Sequence, residues 1–202
     1  RFDSAPLRGT LLFRHGYFVT PWSRPIAAIM PVLEETFRTC LDTGNLIYAA
    51  YLAYASGWML FEKGEPLDVV LAHMRKYTPF ARNARIPFAV LMLRLQELFI
   101  AGLQGAEPEI TPGVAGQDGA EASYEALVAT AHGYGIAFHH VVRQVTPYLM
   151  GRYDEALEAA RATAPLVPKI SSSAIEASHH FYGALAITAL HSGAGPERRA
   201  EM

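Results

Sequence analysis

Apolar residues recur along this chain three or four positions apart almost from end to end, and no alternating stretch bounded by an Asn-Gly or Asp-Gly turn interrupts them. That period predicts an all-α fold. A first helix is expected over residues 6–19, closed by Thr20-Pro21-Trp22-Ser23. A second starts near Pro25, because the missing N–H of proline costs nothing in a first turn. It carries Ile29, Leu33, Phe37 and Leu41 on one face and stops at Gly44. Asn45 opens a third helix as its N-cap, and Gly64 closes it. Glu65-Pro66-Leu67-Asp68 restarts the chain, and Val70, Met74 and Tyr77 stripe a fourth helix ending near Phe80. A fifth is expected over residues 87–103, apolar at Phe88, Leu91, Leu95, Leu98 and Phe99.

Residues 105–119 hold four Gly and two Pro without apolar periodicity and predict the one long loop. A short helix over residues 122–131 follows, and then Tyr134, Phe138, Val141, Val145, Tyr148 and Leu149 define the inner face of a longer one. Pro147 is expected to kink it near its end. Tyr153, Ala156, Leu157, Ala160 and Ala164 form the facing stripe of its partner. The last helix, over residues 173–191, is expected to bury Phe181, Tyr182, Leu185, Ala189 and Leu190, with Gly193 as its cap and a fraying polar tail beyond.

Two stretches repeat one design. Gly151-Arg152-Tyr153-Asp154-Glu155-Ala156-Leu157, running on to Pro168, reads as the second half of a tetratricopeptide repeat: a turn glycine, an aromatic two residues on, small Ala where two helices press together, and Pro at the exit. Gly57 lies seven residues before Gly64, as a packing glycine precedes a turn glycine, so residues 45–80 form a second, degenerate copy. The expected architecture is an antiparallel helix-hairpin array, a tetratricopeptide-like α-solenoid, with repeats over residues 1–104, a Gly/Pro-rich loop over 105–120, further repeats over 121–193 and a tail over 194–202. Gly44, Gly57, Gly64, Gly151, Tyr153 and Ala156 are its structural turn and packing positions.

Composition narrows the function classes. At 202 residues, 51% apolar and 18% charged, the chain can bury a substantial core. A net charge of −2 with scattered Arg and Lys gives no footprint for nucleic acid. The single cysteine, Cys40, fits a reducing, cytoplasmic setting and a small buried hydrophobe. Residues 45–61 carry no charge, but at 17 residues with three tyrosines inside they fall short of a membrane span. No secretory signal is visible, and the chain reads as a piece of a longer protein.

Candidate chemistry is sparse. His132, His139, His140 and His179 offer the material for a helical metal-binding enzyme, yet adjacent helical residues point about 100° apart and the i, i+4 spacing is missing. One Glu-x-x-His exists, Glu176 to His179, where a diiron bundle needs two. No phosphate-binding glycine loop is present, so no cofactor and no catalytic residue is expected in this segment. Ser171-Ser172-Ser173 reads as an N-cap, and Glu34-Glu35 and Asp154-Glu155 as carboxylates suited to helix faces and first turns. Tyr48, Tyr51 and Tyr54 spread over one side of the third helix and are the candidate groove for a protein or peptide partner, with helix-on-helix packing as the alternative.

Thr20-Pro21-Trp22 with Pro25, then Thr43-Gly44-Asn45-Leu46-Ile47-Tyr48-Ala49-Ala50-Tyr51, Gly64-Glu65-Pro66-Leu67, residues 148–156 and residues 180–186 resemble, in this order, the tetratricopeptide-like helical segment of large bacterial multidomain signalling proteins. In that family a serine/threonine kinase and an AAA-like predicted ATPase precede the segment, and a GAF domain and often a histidine kinase follow. The resemblance implies a non-enzymatic scaffold or sensor arm that touches adjacent domains of its own chain, with ATP belonging to the parent protein. A regulatory repeat domain of a STAND-type transcriptional activator is the second reading.

Overall fold

The structure, a computed structural model, describes residues 5–105 and 120–201. The expected Gly/Pro-rich loop, beyond Gly105 itself, lies outside the described residues. Among the described residues every regular element is helical. The helices are α1 (Ala5–Arg14), α2 (Ile26–Asp42), α3 (Leu46–Glu62), α4 (Leu67–Asn83), α5 (Pro87–Leu103), α6 (Ala120–Ala129), α7 (Gly133–Leu149), α8 (Tyr153–Thr163), α9 (Ala174–His191) and α10 (Pro196–Glu201). They fall into two compact units, Arg1–Thr130 and Ala131–Met202.

In the first unit α1 pairs with α2, α3 with α4 and α5 with α6, while α3 also touches α1 and α5. In the second, α7 pairs with α8, and α9 packs on both. Each unit is therefore a stack of helix pairs in which first helices lie against first helices. The turns repeat as well. After α2, Asn45 N–H donates to the Cys40 carbonyl at 2.8 Å and Gly44 N–H to that of Leu41 at 3.1 Å. Glu65 to Leu60 and Arg152 to Pro147 repeat the longer bond after α3 and α7, at 3.2 and 2.8 Å. This closure needs one residue of left-handed backbone. Gly151 supplies it at φ 76°, with open space around it, so its glycine is required by backbone and not by crowding.

The first helix does not run straight to Val19. After α1 the chain widens into a π-helical turn, His15–Val19, and then tightens into a 3-10 turn, Thr20–Trp22. Pro21 supplies no N–H here, and Thr20 gives both its N–H and its hydroxyl to the His15 carbonyl, the hydroxyl at 2.9 Å. Asn45 stands at the N-cap of α3, but its side chain makes no cap bond and donates instead to Thr10 Oγ1 on α1 at 3.2 Å. α7 continues as helix through Pro147 to Leu149. The tail expected to fray forms α10, held by Arg199 Nε donating to the His191 carbonyl at 3.1 Å.

Burial departs from the expected stripes on α2, α8 and α9, and at Leu149 of α7, which is 45% exposed. On α2 the inner face is Ile29, Leu33, Thr36 and Cys40, while Phe37 is half-buried and Leu41 is 40% exposed. On α9 the buried residues are Ile175, Ser178, His179 and Ala186; Phe181 is 59% exposed and Ala189 faces outward. Ala156, Leu157 and Ala160 of α8 are buried as expected, but Tyr153 and Ala164 sit at the surface.

Candidate functional site

Tyr48, Tyr51 and Tyr54 are engaged in packing between first helices. Tyr51 lies 5.7 Å from Phe13 and 5.1 Å from Phe88, measured between ring centroids, and so joins the α1 segment to α5. Tyr48 meets Phe13 edge-on at 5.5 Å. Both rings are half-buried and keep an edge at the surface. Tyr54 is 6% exposed, 5.9 Å from Phe88, and is a core residue instead of a groove residue. Three residues advance 300° around a helix, so each tyrosine is rotated about 60° from the last, and the third has turned into α5. Burial holds the Tyr54 hydroxyl well above the usual tyrosine range, reinforced by Tyr17 and Tyr51.

The histidines of the second unit serve separate local bonds. His132 caps α7, its Nδ1 accepting from Gly135 N–H at 3.1 Å. His139 is 3% exposed, and burial, with His140 and Arg143 adding to it, lowers its pKa to about 4. His179 is held by Gln144 of α7, whose Nε2 donates to the His179 carbonyl at 2.7 Å and whose Oε1 lies 2.8 Å from His179 Nδ1. Glu176 accepts from the Ser172 N–H at the start of α9. Among the described residues no three His, Cys, Asp or Glu side chains converge as a metal-binding group. Cys40 is fully buried against Gly9, where a Cβ would stand 2.7 Å from its sulfur, and burial raises its pKa.

Gln144 has a counterpart in the first unit. Gln96 on α5 is fully buried and donates Nε2 to the Tyr54 carbonyl on α3 at 2.9 Å. Its Oε1 lies against Gly57, where a Cβ would stand 2.6 Å away, with Met74 of α4 at 3.1 Å on the other side. Gly183 plays the same part beside Gln144, whose Nε2 would be 3.3 Å from its Cβ. In both units a buried glutamine on one first helix thus grips a carbonyl of the neighbouring first helix, and a glycine one turn on makes the room. Gly57 is legible as a packing glycine; Gln96 and Gln144 give no signal in a single sequence, since an isolated Gln in an apolar stripe fits no motif.

One polar cluster was not anticipated. Between α2, α3 and α4 lies a shallow cleft of about 220 Å³, solvent included, walled by Leu33 and Phe37 and bearing Glu34, Ser56, His73 and Tyr77. Ser56 Oγ is 2.7 Å from His73 Nε2, and Tyr77 donates its hydroxyl to Glu34 at 3.1 Å. Burial chiefly, with Lys76 adding to it and Glu34 opposing, lowers the His73 pKa to about 4. Burial and then the Glu34 charge hold Tyr77 protonated. The Ser56–His73 pair has the separation of a nucleophile and its base, but Ser56 sits in mid-helix with its hydroxyl also 3.2 Å from the Ala53 carbonyl. Mid-helix N–H groups are already spent on the helix ladder, so no pair of donors is on hand for an oxyanion. The pair is a polar pin between α3 and α4, as Tyr77–Glu34 is between α4 and α2. No protein-family model, no curated protein and no solved structure matches this chain.

Proposed function

We propose that this chain is a non-enzymatic helical repeat module, a scaffold or sensor arm in a cytoplasmic bacterial signalling protein. It relays state between a nucleotide-driven domain and an output kinase domain of the same chain, with a protein or peptide as a further partner and ATP handled elsewhere in the parent. The observation that carries the reading is repetition: helix pairs stacked first helix on first helix, closed by the same turn and tied by the same glutamine-to-carbonyl bond in both units. Stacked pairs present long side surfaces whose contacts propagate from one pair to the next, which suits transmission better than chemistry. The half-buried rings of Tyr48 and Tyr51 sit at such a junction and would feel a change in the spacing of α1, α3 and α5.

The encoding gene tests this. One reading frame joining the segment to kinase and ATPase signatures on one side and a GAF or histidine kinase domain on the other is the expected result. A frame joining it to a helix-turn-helix DNA-binding domain overturns the proposal.

A further inference from the structure

Charge is unevenly placed in this chain. Residues 4–33 hold Arg8, Arg14 and Arg24 and no Asp, Glu or Lys, within a protein of net charge −2. All three arginines are exposed on α1 and the turn that precedes α2. The inner side of this segment is occupied: Phe13 stacks on Tyr17 and meets Tyr48 and Tyr51, Gly9 lies against Cys40, and Gly16 against Leu33. The outer side of α1 carries Leu7, Leu11 and Arg14 at i, i+4 and i+7, bordered by Arg8 and His15. Leu7 is 55% exposed and Leu11 63%; Val19 and Trp22, at 55% and 58%, extend the apolar surface through the π-helical and 3-10 turns. Side chains three apart eclipse in a 3-10 turn, so Trp22 follows Val19 on the same side. Glu34, the next acid along the chain, is engaged by Tyr77 and Arg38.

We infer that this face docks on an anionic lipid surface, with Leu7, Leu11, Val19 and Trp22 entering the headgroup boundary and Arg8, Arg14 and Arg24 holding lipid phosphates. Charge selects the kind of surface: a cationic segment without a carboxylate of its own is drawn to an anionic leaflet. The mixture of side chains selects lipid. Arginine forks match phosphate oxygens, and their apolar stems lie along the acyl boundary while the charge stays at headgroup level. An indole ring, apolar with one polar edge, settles at the same depth. A nucleic acid would use the arginines but leave Leu7 and Leu11 in water. An acidic protein would need an apolar hollow for each protruding side chain, whereas the acyl boundary takes them without a preformed groove. The contact is interfacial, since α1 has ten residues and no helix among the described residues is long and apolar enough to cross a membrane.

Co-sedimentation of the full chain with vesicles tests the inference. Binding is expected to vesicles of phosphatidylcholine mixed with phosphatidylglycerol, and not to phosphatidylcholine alone, and is released by high salt. Trp58 is fully buried, so the blue shift of tryptophan emission on binding belongs to Trp22 and is absent in Trp22→Phe. Arg14→Gln lowers the affinity about fivefold and the double variant with Arg8→Gln roughly 25-fold. Leu11→Ser weakens binding as well, and all these positions are exposed, so the far-ultraviolet dichroism stays unchanged. Phe181→Ser, at an exposed apolar residue of the second unit, binds as the unaltered protein does. No binding to the anionic vesicles, equal binding to the neutral ones, or binding that survives both Arg14→Gln and Leu11→Ser overturns the inference. Retention of an oligonucleotide but not of vesicles would make the face a nucleic-acid contact and overturn it too.

Discussion

Gln144 grips His179 at two points, donating Nε2 to its carbonyl at 2.7 Å and placing Oε1 2.8 Å from its Nδ1. Because Nε2 is committed as donor, Oε1 is the acceptor, and the imidazole must carry its proton on Nδ1. Nitrogen chemical shifts of the ring are expected to report the Nδ1–H tautomer. Gln144→Leu leaves the buried imidazole N–H without its acceptor, while the His179 carbonyl keeps its bond in the helix ladder, a loss of about 1 to 3 kcal/mol in chemical denaturation. An Nε2–H tautomer, or a neutral substitution, would show that the two-point contact does not hold α9.

Gly57→Ala is expected to destabilise the first unit by about 1 to 3 kcal/mol, because the added methyl would meet Gln96 Oε1 at 2.6 Å and Met74 at 3.1 Å. Combined with Gln96→Ala the cost should be less than additive, since one change makes the room the other needs. Denaturant midpoints of the two single variants and the double variant measure the coupling. Simple additivity would mean that Gly57 and Gln96 do not press on each other.

Gly151→Val tests a different requirement. No atom crowds a Cβ there, but at φ 76° a branched side chain is strained, for about 1 to 2 kcal/mol or somewhat more. The thermal midpoint should fall further than for His140→Ala, whose ring is half-buried on α7. Gly151→Asn, a residue that tolerates left-handed backbone, should recover part of the loss.

Acid should weaken the fold through its buried histidines. His139 and His73 have pKa values lowered to about 4 in the folded chain, against about 6.5 for an ordinary histidine. Between those values the unfolded chain binds more protons, so this contribution is complete above about pH 6.5 and is lost as pH falls toward 4. For His139, 3% exposed, the full span is worth on the order of 3 kcal/mol; half-buried His73 contributes less. Urea midpoints at pH 7 and pH 5 should differ, and His139→Leu should reduce the difference. An unchanged slope with pH in that variant would locate the acid sensitivity elsewhere.

Where the pattern is locally punctuated, the sequence is explicit. Pro87 at the start and Gly105 beyond the end bracket α5, and the expected limits of 87 and 103 match. Gly44 and Gly64 close their helices because the left-handed turn leaves glycine little competition. Which side of a helix faces in is harder to read. α9 is apolar nearly all round, so its periodicity selects no face, and the choice falls to Gln144 on a different helix. That bond draws His179 inward and turns Phe181 out, the reverse of the apolar ranking. Thr36 sits inside α2 for a related reason: its hydroxyl bonds the Val32 carbonyl at 2.6 Å and so enters the core already satisfied. The Ser56–His73 and Tyr77–Glu34 pins are illegible in sequence, because each joins residues from different helices that carry no motif.

The cleft that holds those pins should behave as structure and not as an active site. If Ser56 were a nucleophile, His73 would have to take its proton while two donors steadied the oxyanion, and mid-helix backbone supplies none. A fluorophosphonate probe is therefore expected to leave Ser56 unlabelled, and repurified protein to hydrolyse neither activated esters nor ATP. Ser56→Ala should cost about 1 kcal/mol of stability, the worth of a hydroxyl that bonds across two helices. Tyr77→Phe should cost about as much or slightly more, since its partner Glu34 is charged but only half-buried. Covalent labelling at Ser56, or turnover that Ser56→Ala removes without loss of stability, would make the cleft a catalytic site and the array an enzyme.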